Sequence, residues 1–165
     1  MTNNISSFHN KVAIVTGGTQ GLGAEIAKLF AQRGAEALVI CGRNQVNGLA
    51  QAKRITHETG VPVDFVQADL GNVDDCRRVV AEAVTQFGKI DILVNAAGIT
   101  DRGNILDTSP ELFDKLFAVN VRAPFFLMQE VVKVMREKDI QGSIVNIGSR
   151  SAMAGQPFLA AYCAS

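Results

Sequence analysis

The stretch Val12-Ala13-Ile14-Val15-Thr16-Gly17-Gly18-Thr19-Gln20-Gly21-Leu22-Gly23 constrains the fold of this chain more than any other. Val12 to Val15 are four apolar residues, mostly β-branched, with no polar position alternating among them. Such a run predicts a strand buried on both faces. Glycines follow, and then Ala24 to Arg33, in which Ile26, Ala27, Leu29 and Phe30 recur at helical spacing. Strand, glycine turn and helix in this order make the first half of a nucleotide-binding βαβ unit. Phosphates must come close to the backbone there, and only glycine lacks the Cβ that would block them. The free N–H groups and positive dipole end of the helix then hold the negative charge. The spacing Gly17-x-x-x-Gly21-x-Gly23 departs from the usual G-x-G-x-x-G, and with no Gly-Lys-Ser/Thr after it this is not a P-loop.

The rest of the chain continues the alternation. Short apolar runs predict strands near 11–16, 36–42, 62–68, 90–95 and 143–149, and amphipathic periods predict helices near 22–33, 45–59, 73–87 and 109–137. This order implies an α/β fold, a doubly wound parallel sheet with helices on both faces and its ligand at the carboxyl ends of the strands. No repeat, low-complexity tract or linker interrupts it, so residues 1–165 are expected to form one domain, long enough for a real core. Sixteen basic residues balance sixteen acidic ones, so neither nucleic acid nor a membrane surface is indicated as a partner. No apolar run reaches membrane-spanning length, and Met1 to Asn10 lacks a signal-peptide core. Cys41, Cys76 and Cys163 show no paired or metal-like spacing, so no metal site is expected and a reducing, cytoplasmic setting is. The triplet Asn4-Ile5-Ser6 is taken as a chance glycosylation match.

Candidate site residues fall at the strand ends. About twenty residues past the last glycine an acidic side chain would bind the ribose 2′-hydroxyl of NAD. Gly42 and Arg43 stand there instead. With no carboxylate to repel a 2′-phosphate and a planar guanidinium to receive one, NADP is favoured over NAD. Asp69, after the third strand, either accepts a hydrogen bond from an adenine amino group or caps a turn, with Asn72 as the N-cap of the next helix. The small residues of Asn95-Ala96-Ala97-Gly98 let the backbone approach a ribose or ring. Asp101 and Arg102, in the polar loop from Thr100 to Asp107, are expected to be solvated. Ser109 is an N-cap with Pro110 at the first helical position. Pro124 cannot donate to the carbonyl of Asn120, which leaves that oxygen free to hold a water. Phe125, Phe126, Val131, Val132 and Met135 form a stripe suited to core or subunit contact. Ser149 ends the last predicted strand, and Tyr162 follows thirteen positions later.

Thr16-Gly17-x-x-x-Gly21-x-Gly23 after the first strand, Asn95-Ala96-Ala97-Gly98 after the fourth, Asn120-Val121-Arg122-Ala123-Pro124, and Ser149 with Tyr162-Cys163-Ala164-Ser165 together resemble the motifs of the classical short-chain dehydrogenase/reductase family, in order across the whole chain. The resemblance implies a Rossmann-type fold with strands 1–5 present and the C-terminal part absent. It implies an NAD(P) cofactor held by Gly17, Thr19, Gln20, Gly21, Leu22 and Gly23, by Arg43, by Asp69 and Leu70 at the adenine, and by Asn95, Ala96 and Gly98, with Asn95 also steadying the sheet. It implies catalytic roles for Asn120 in a proton relay, for Ser149 on the carbonyl oxygen, and for Tyr162 as the group that gives or takes the proton. The activity implied is NADP-dependent interconversion of a ketone or aldehyde and an alcohol by hydride transfer, on a small-molecule substrate, in a homodimer or homotetramer. Three departures stand out. Gln20 occupies the place where NADP-using relatives often carry a second basic residue, and Ala96 replaces the second Asn of Asn-Asn-Ala-Gly. The family's Lys, four residues after the Tyr, would fall one position past Ser165. A free phenol ionises near ~10 and needs a neighbouring cation to serve at neutral pH. The sequence is therefore read as a fragment, without turnover if complete, whose fifth strand is an unprotected edge. The alternative is a non-catalytic nucleotide-binding or self-associating module.

Overall fold

Val12–Thr16 (β1) is buried at every position, as an unbroken apolar run requires when both faces of a sheet are covered. The computed structural model describes residues 8–165, so the Asn4-Ile5-Ser6 triplet lies outside the described residues. After β1 come Gly21–Gln32 (α1), Ala37–Gly42 (β2), Gln45–Thr59 (α2), Val63–Gln67 (β3), Val73–Phe87 (α3) and Ile92–Asn95 (β4). Pro110–Phe117 (α4), Ala123–Glu137 (α5), Ser143–Asn146 (β5) and Ala160–Ala164 (α6) complete the order. The five strands are parallel, in the order β3-β2-β1-β4-β5. The chain winds outward from β1 to β3, and α3 then returns it to place β4 beside β1. That reversal opens a crevice at the carboxyl ends of the strands.

Alternate strand residues feed two cores. Ile14, Val39 and Leu93 pack with Cys76 and Val79 of α3 and Leu127 of α5. Ala13, Leu38, Ile40 and Val94 pack with α1 and α2 on the other face. The doubly wound α/β architecture is thus as expected. Among the described residues no helix is long and apolar enough to cross a membrane.

Two boundaries differ from expectation. The predicted helix over 109–137 is broken: a π turn, Ala118–Arg122, separates α4 from α5. Pro124 has no N–H for the carbonyl of Asn120, and the Ala123 N–H reaches back five residues to the Ala118 carbonyl. The proline thus widens the turn rather than merely kinking the helix. The fifth strand ends at Asn146, because the pairing partner β4 ends at Asn95; the Ile147 N–H still bonds the Asn95 carbonyl at 2.9 Å. Among the described residues β5 lies at one end of the sheet, with Val145, and Ile147 just past it, exposed.

A third difference concerns Asp101. It is buried, not solvated, and neither carboxylate oxygen has a partner among the described residues. The cause is tertiary. Gly103 donates to the Phe158 carbonyl at 2.9 Å and accepts from the Ala160 N–H at 3.1 Å, which folds the loop over Asp101. Arg102 is exposed as expected.

Candidate functional site

The carboxyl ends of β1 to β4 open into a groove of about 580 Å³, a size suited to a small-molecule ligand. The loop between β1 and α1 forms its floor. Gly17 has φ +66° and an added Cβ would lie 2.9 Å from Ala97 Cα; at Gly23 a Cβ would lie 2.5 Å from the Gly17 carbonyl oxygen. Any side chain at either place would push the glycine loop apart. The loop after β4 is tied to the same floor, since the Thr16 hydroxyl accepts from the Ala96 and Ala97 N–H groups, each at 3.0 Å.

Above that floor the helix starts differ in one telling way. Asn44, Asn72 and Ser109 cap α2, α3 and α4 with their side chains. Gln20, at the start of α1, makes no such bond, and no acidic residue lies in the first turn. The α1 donors and its positive dipole end therefore face the groove unanswered, in the arrangement that receives a phosphate. Gly21, with φ +55° and open space where a Cβ would stand, completes a cradle that fits a dinucleotide pyrophosphate.

Thr19, Gln20, Leu22, Arg43, Asp69 and Leu70 line the groove, as do Ala96 and Gly98. Asn95 does not: its side chain donates to Asn146 Oδ1 at 2.8 Å and so joins β4 to β5. Both turn roles expected near Asp69 are present. Asp69 Oδ1 accepts from the Gly71 N–H at 3.0 Å, and Asn72 caps α3. Arg43 is exposed at the rim with no carboxylate in ion-pair range among the described residues. Cys41 also lines the groove, but burial pushes its thiol up to about 12, so it is no nucleophile at neutral pH.

The three residues predicted to carry chemistry sit on different elements, and none of them lines the groove itself. Asn120, in the π turn, uses its side chain in both directions along the loop after β4. Its Oδ1 accepts from the Ile99 N–H, and its Nδ2 donates to the Ile99 carbonyl, each at 2.9 Å. The same Nδ2 donates to Ser165 Oγ at 2.9 Å, and that hydroxyl donates to the Tyr162 carbonyl at 3.0 Å. One serine thus links Asn120 to the helix that carries Tyr162. Ser149 lies just past β5 and caps the 3₁₀ turn Arg150–Ala152, its Oγ accepting from the Ser151 N–H at 3.2 Å. Helix α6 packs against that turn. The Ser149 hydroxyl hydrogen stays free to donate, and the half-buried Tyr162 hydroxyl makes no hydrogen bond among the described residues.

Several residues at the site had no role assigned from the sequence. Thr16 carried a signal, a hydroxyl closing an apolar strand. Lys115 and Val119, on the groove wall, carried none, because only the fold brings the end of α4 to Asp69 and Leu70.

The family model described as short chain dehydrogenase matches residues 11–165. An uncharacterized oxidoreductase of Thermotoga maritima is 35% identical over 164 residues, covering 96% of this chain and 61% of that protein. Versicolorin reductase stcU of Emericella nidulans is 36% identical over 159 residues, covering 94% and 58%. A metagenomic short-chain oxidoreductase solved in complex with NADP superimposes with a TM-score of 0.89 at 30% identity, covering 96% of this chain and 71% of that one. The chain thus spans about 60% of the length of these two curated relatives.

Proposed function

We propose that this chain, which belongs to the short-chain dehydrogenase family, carries the cofactor-binding part of an NADP-dependent oxidoreductase that interconverts a carbonyl compound and an alcohol. The observation that carries the reading is the groove: an uncapped helix start over a glycine cradle, with Asn120 and the Tyr162 helix joined beside Gly98 and Ile99. A nicotinamide cofactor bound there supplies the hydride. The chain's own residues do the rest. The glycine loop and α1 hold the pyrophosphate, Arg43 receives the 2′-phosphate, and Asp69 and Leu70 meet the adenine. Ala96 and Gly98 let the ribose come close to the backbone, while Asn95 keeps the sheet beneath them aligned.

Reduction of a carbonyl group builds negative charge on its oxygen, so the site needs a hydrogen-bond donor and a proton source there. Ser149 suits the first role because its Oγ already accepts a backbone N–H and keeps its hydrogen for the substrate. Tyr162 suits the second, with a hydroxyl committed to no neighbour among the described residues. Asn120 holds the loop after β4 and the Tyr162 helix in one frame. NADPH favours the reductive direction. We place the protein in the cytoplasm as a homodimer or homotetramer, in which Val121, Phe125 and Val132, all exposed on the π turn and α5, would find a partner surface.

The test is a ketone and aldehyde panel with a family-length protein containing this chain. Carbonyl-dependent oxidation of NADPH is expected. Tight NADPH binding with no oxidation on any carbonyl would instead make the fold a nucleotide-binding module.

A further inference from the structure

Beside the groove lies a smaller cleft of about 370 Å³, lined by Arg43, Gln67, Ala68, Asp69, Asp75 and Arg78. Two of its residues, Arg43 and Asp69, are the proposed contacts of the adenosine end. The other side chains join them into one circuit. Arg78 Nη2 donates to the Gln67 carbonyl and to Asp75 Oδ1, each at 2.7 Å. Gln67 Nε2 in turn donates to the Arg43 carbonyl at 3.1 Å, and Asp75 Oδ2 accepts from the Asp69 N–H at 2.7 Å. Arg78 Nη1 donates to Glu82 at 3.0 Å. A single guanidinium therefore stands between the two loops that carry Arg43 and Asp69.

The charges divide the labour. Asp75 and Glu82 both pair with Arg78, and its guanidinium, with the Asp69 N–H, holds the Asp75 carboxyl below the usual carboxylate range. Asp75 thus stays ionised and keeps its grip on both donors at neutral pH. Arg43, with no carboxylate partner among the described residues, is the cation left to meet an incoming anion.

We propose that Arg78 is a positioning residue for the adenosine end of the cofactor: it fixes the separation of Arg43 and Asp69 through Gln67 and Asp75, without touching the cofactor. The inference rests on the reading of Arg43 and Asp69 given above. Lysine cannot replace it, because one ammonium lacks the planar fork that spans a backbone carbonyl and two carboxylates.

The test titrates NADPH and NADH against the chain and its Arg43→Ala, Arg78→Ala, Arg78→Lys and Asp75→Asn variants, with a thermal midpoint for each. Both Arg78 variants are expected to weaken NADPH roughly tenfold, within the coupling range of one hydrogen-bonded network, and NADH less. Asp75→Asn removes the carboxylate shared by Arg78 and the Asp69 N–H while leaving the Arg78–Gln67 contact, and is expected to weaken both cofactors by a common factor. If Arg78→Ala melts below the assay temperature, Arg78→Lys, which keeps the charge, carries the test. Arg78 variants that bind NADPH as tightly as the unmodified chain, or that lose NADPH and NADH equally, would overturn the inference while the reading of Arg43 stands. An Arg43→Ala variant with unchanged NADPH affinity would overturn that reading and this inference with it.

Discussion

Tyr162→Phe in a family-length protein containing this chain is expected to lower carbonyl-dependent turnover by about 10²–10⁴-fold, the usual worth of a positioned general acid–base group. The substitution removes only the hydroxyl. The ring keeps its place on α6, and the backbone carbonyl that receives the Ser165 hydroxyl is untouched, so the link to Asn120 through Ser165 remains. NADPH affinity should therefore hold, because the proposed phosphate, ribose and adenine contacts all lie on other elements. The split identifies the role. A fall in turnover with constant cofactor affinity marks a group that acts on the reacting atoms. Turnover above about a tenth of the unmodified level, against the range just cited, would remove Tyr162 from the proton-transfer step.

Arg43→Asp is the second large effect. The Arg43 guanidinium has no competing carboxylate partner among the described residues, so its charge is available to a 2′-phosphate. A charge-assisted contact contributes about 1.5–3 kcal/mol, and a carboxylate in its place adds repulsion. NADPH binding should weaken by about 100-fold, equivalent to about 2.7 kcal/mol. NADH carries no 2′-phosphate, and an Asp at this position can accept from its ribose hydroxyl, so its affinity should hold or rise. A stopped titration series with both cofactors reads the two effects side by side. Equal changes for NADPH and NADH would mean that Arg43 is a solvated loop residue.

Much of this architecture is legible in local sequence because the deciding forces are local. A short, mostly β-branched apolar run closed by glycines reads as a doubly buried strand, and Gly17 and Gly23 sit where backbone meets backbone. The N-caps Asn72 and Ser109 act within a few residues of themselves, which is why they could be read directly. What was not legible depends on residues far apart in the chain. Asp101 looks like any polar loop acid until Gly103 pairs with the segment around Leu159 and closes over it. Pro124 reads only as freeing the Asn120 carbonyl inside one long helix, and the π turn that divides α4 from α5 has no local signal of its own. Its neighbour Asn120 acts through its side chain on Ile99, a contact no spacing rule anticipates. Arg78 reads as one more charge on the solvated face of α3, and only the placement of β3 beside that helix gives it the Gln67 carbonyl.

The most direct measurement is a paired equilibrium titration of the unmodified chain with NADPH and NADH. The groove described above predicts saturable binding of both, with NADPH at least about tenfold tighter, a difference of about 1.4 kcal/mol. NADH bound as tightly as NADPH, or more tightly, would contradict the assignment of Arg43 and the NADP-dependent function built on it.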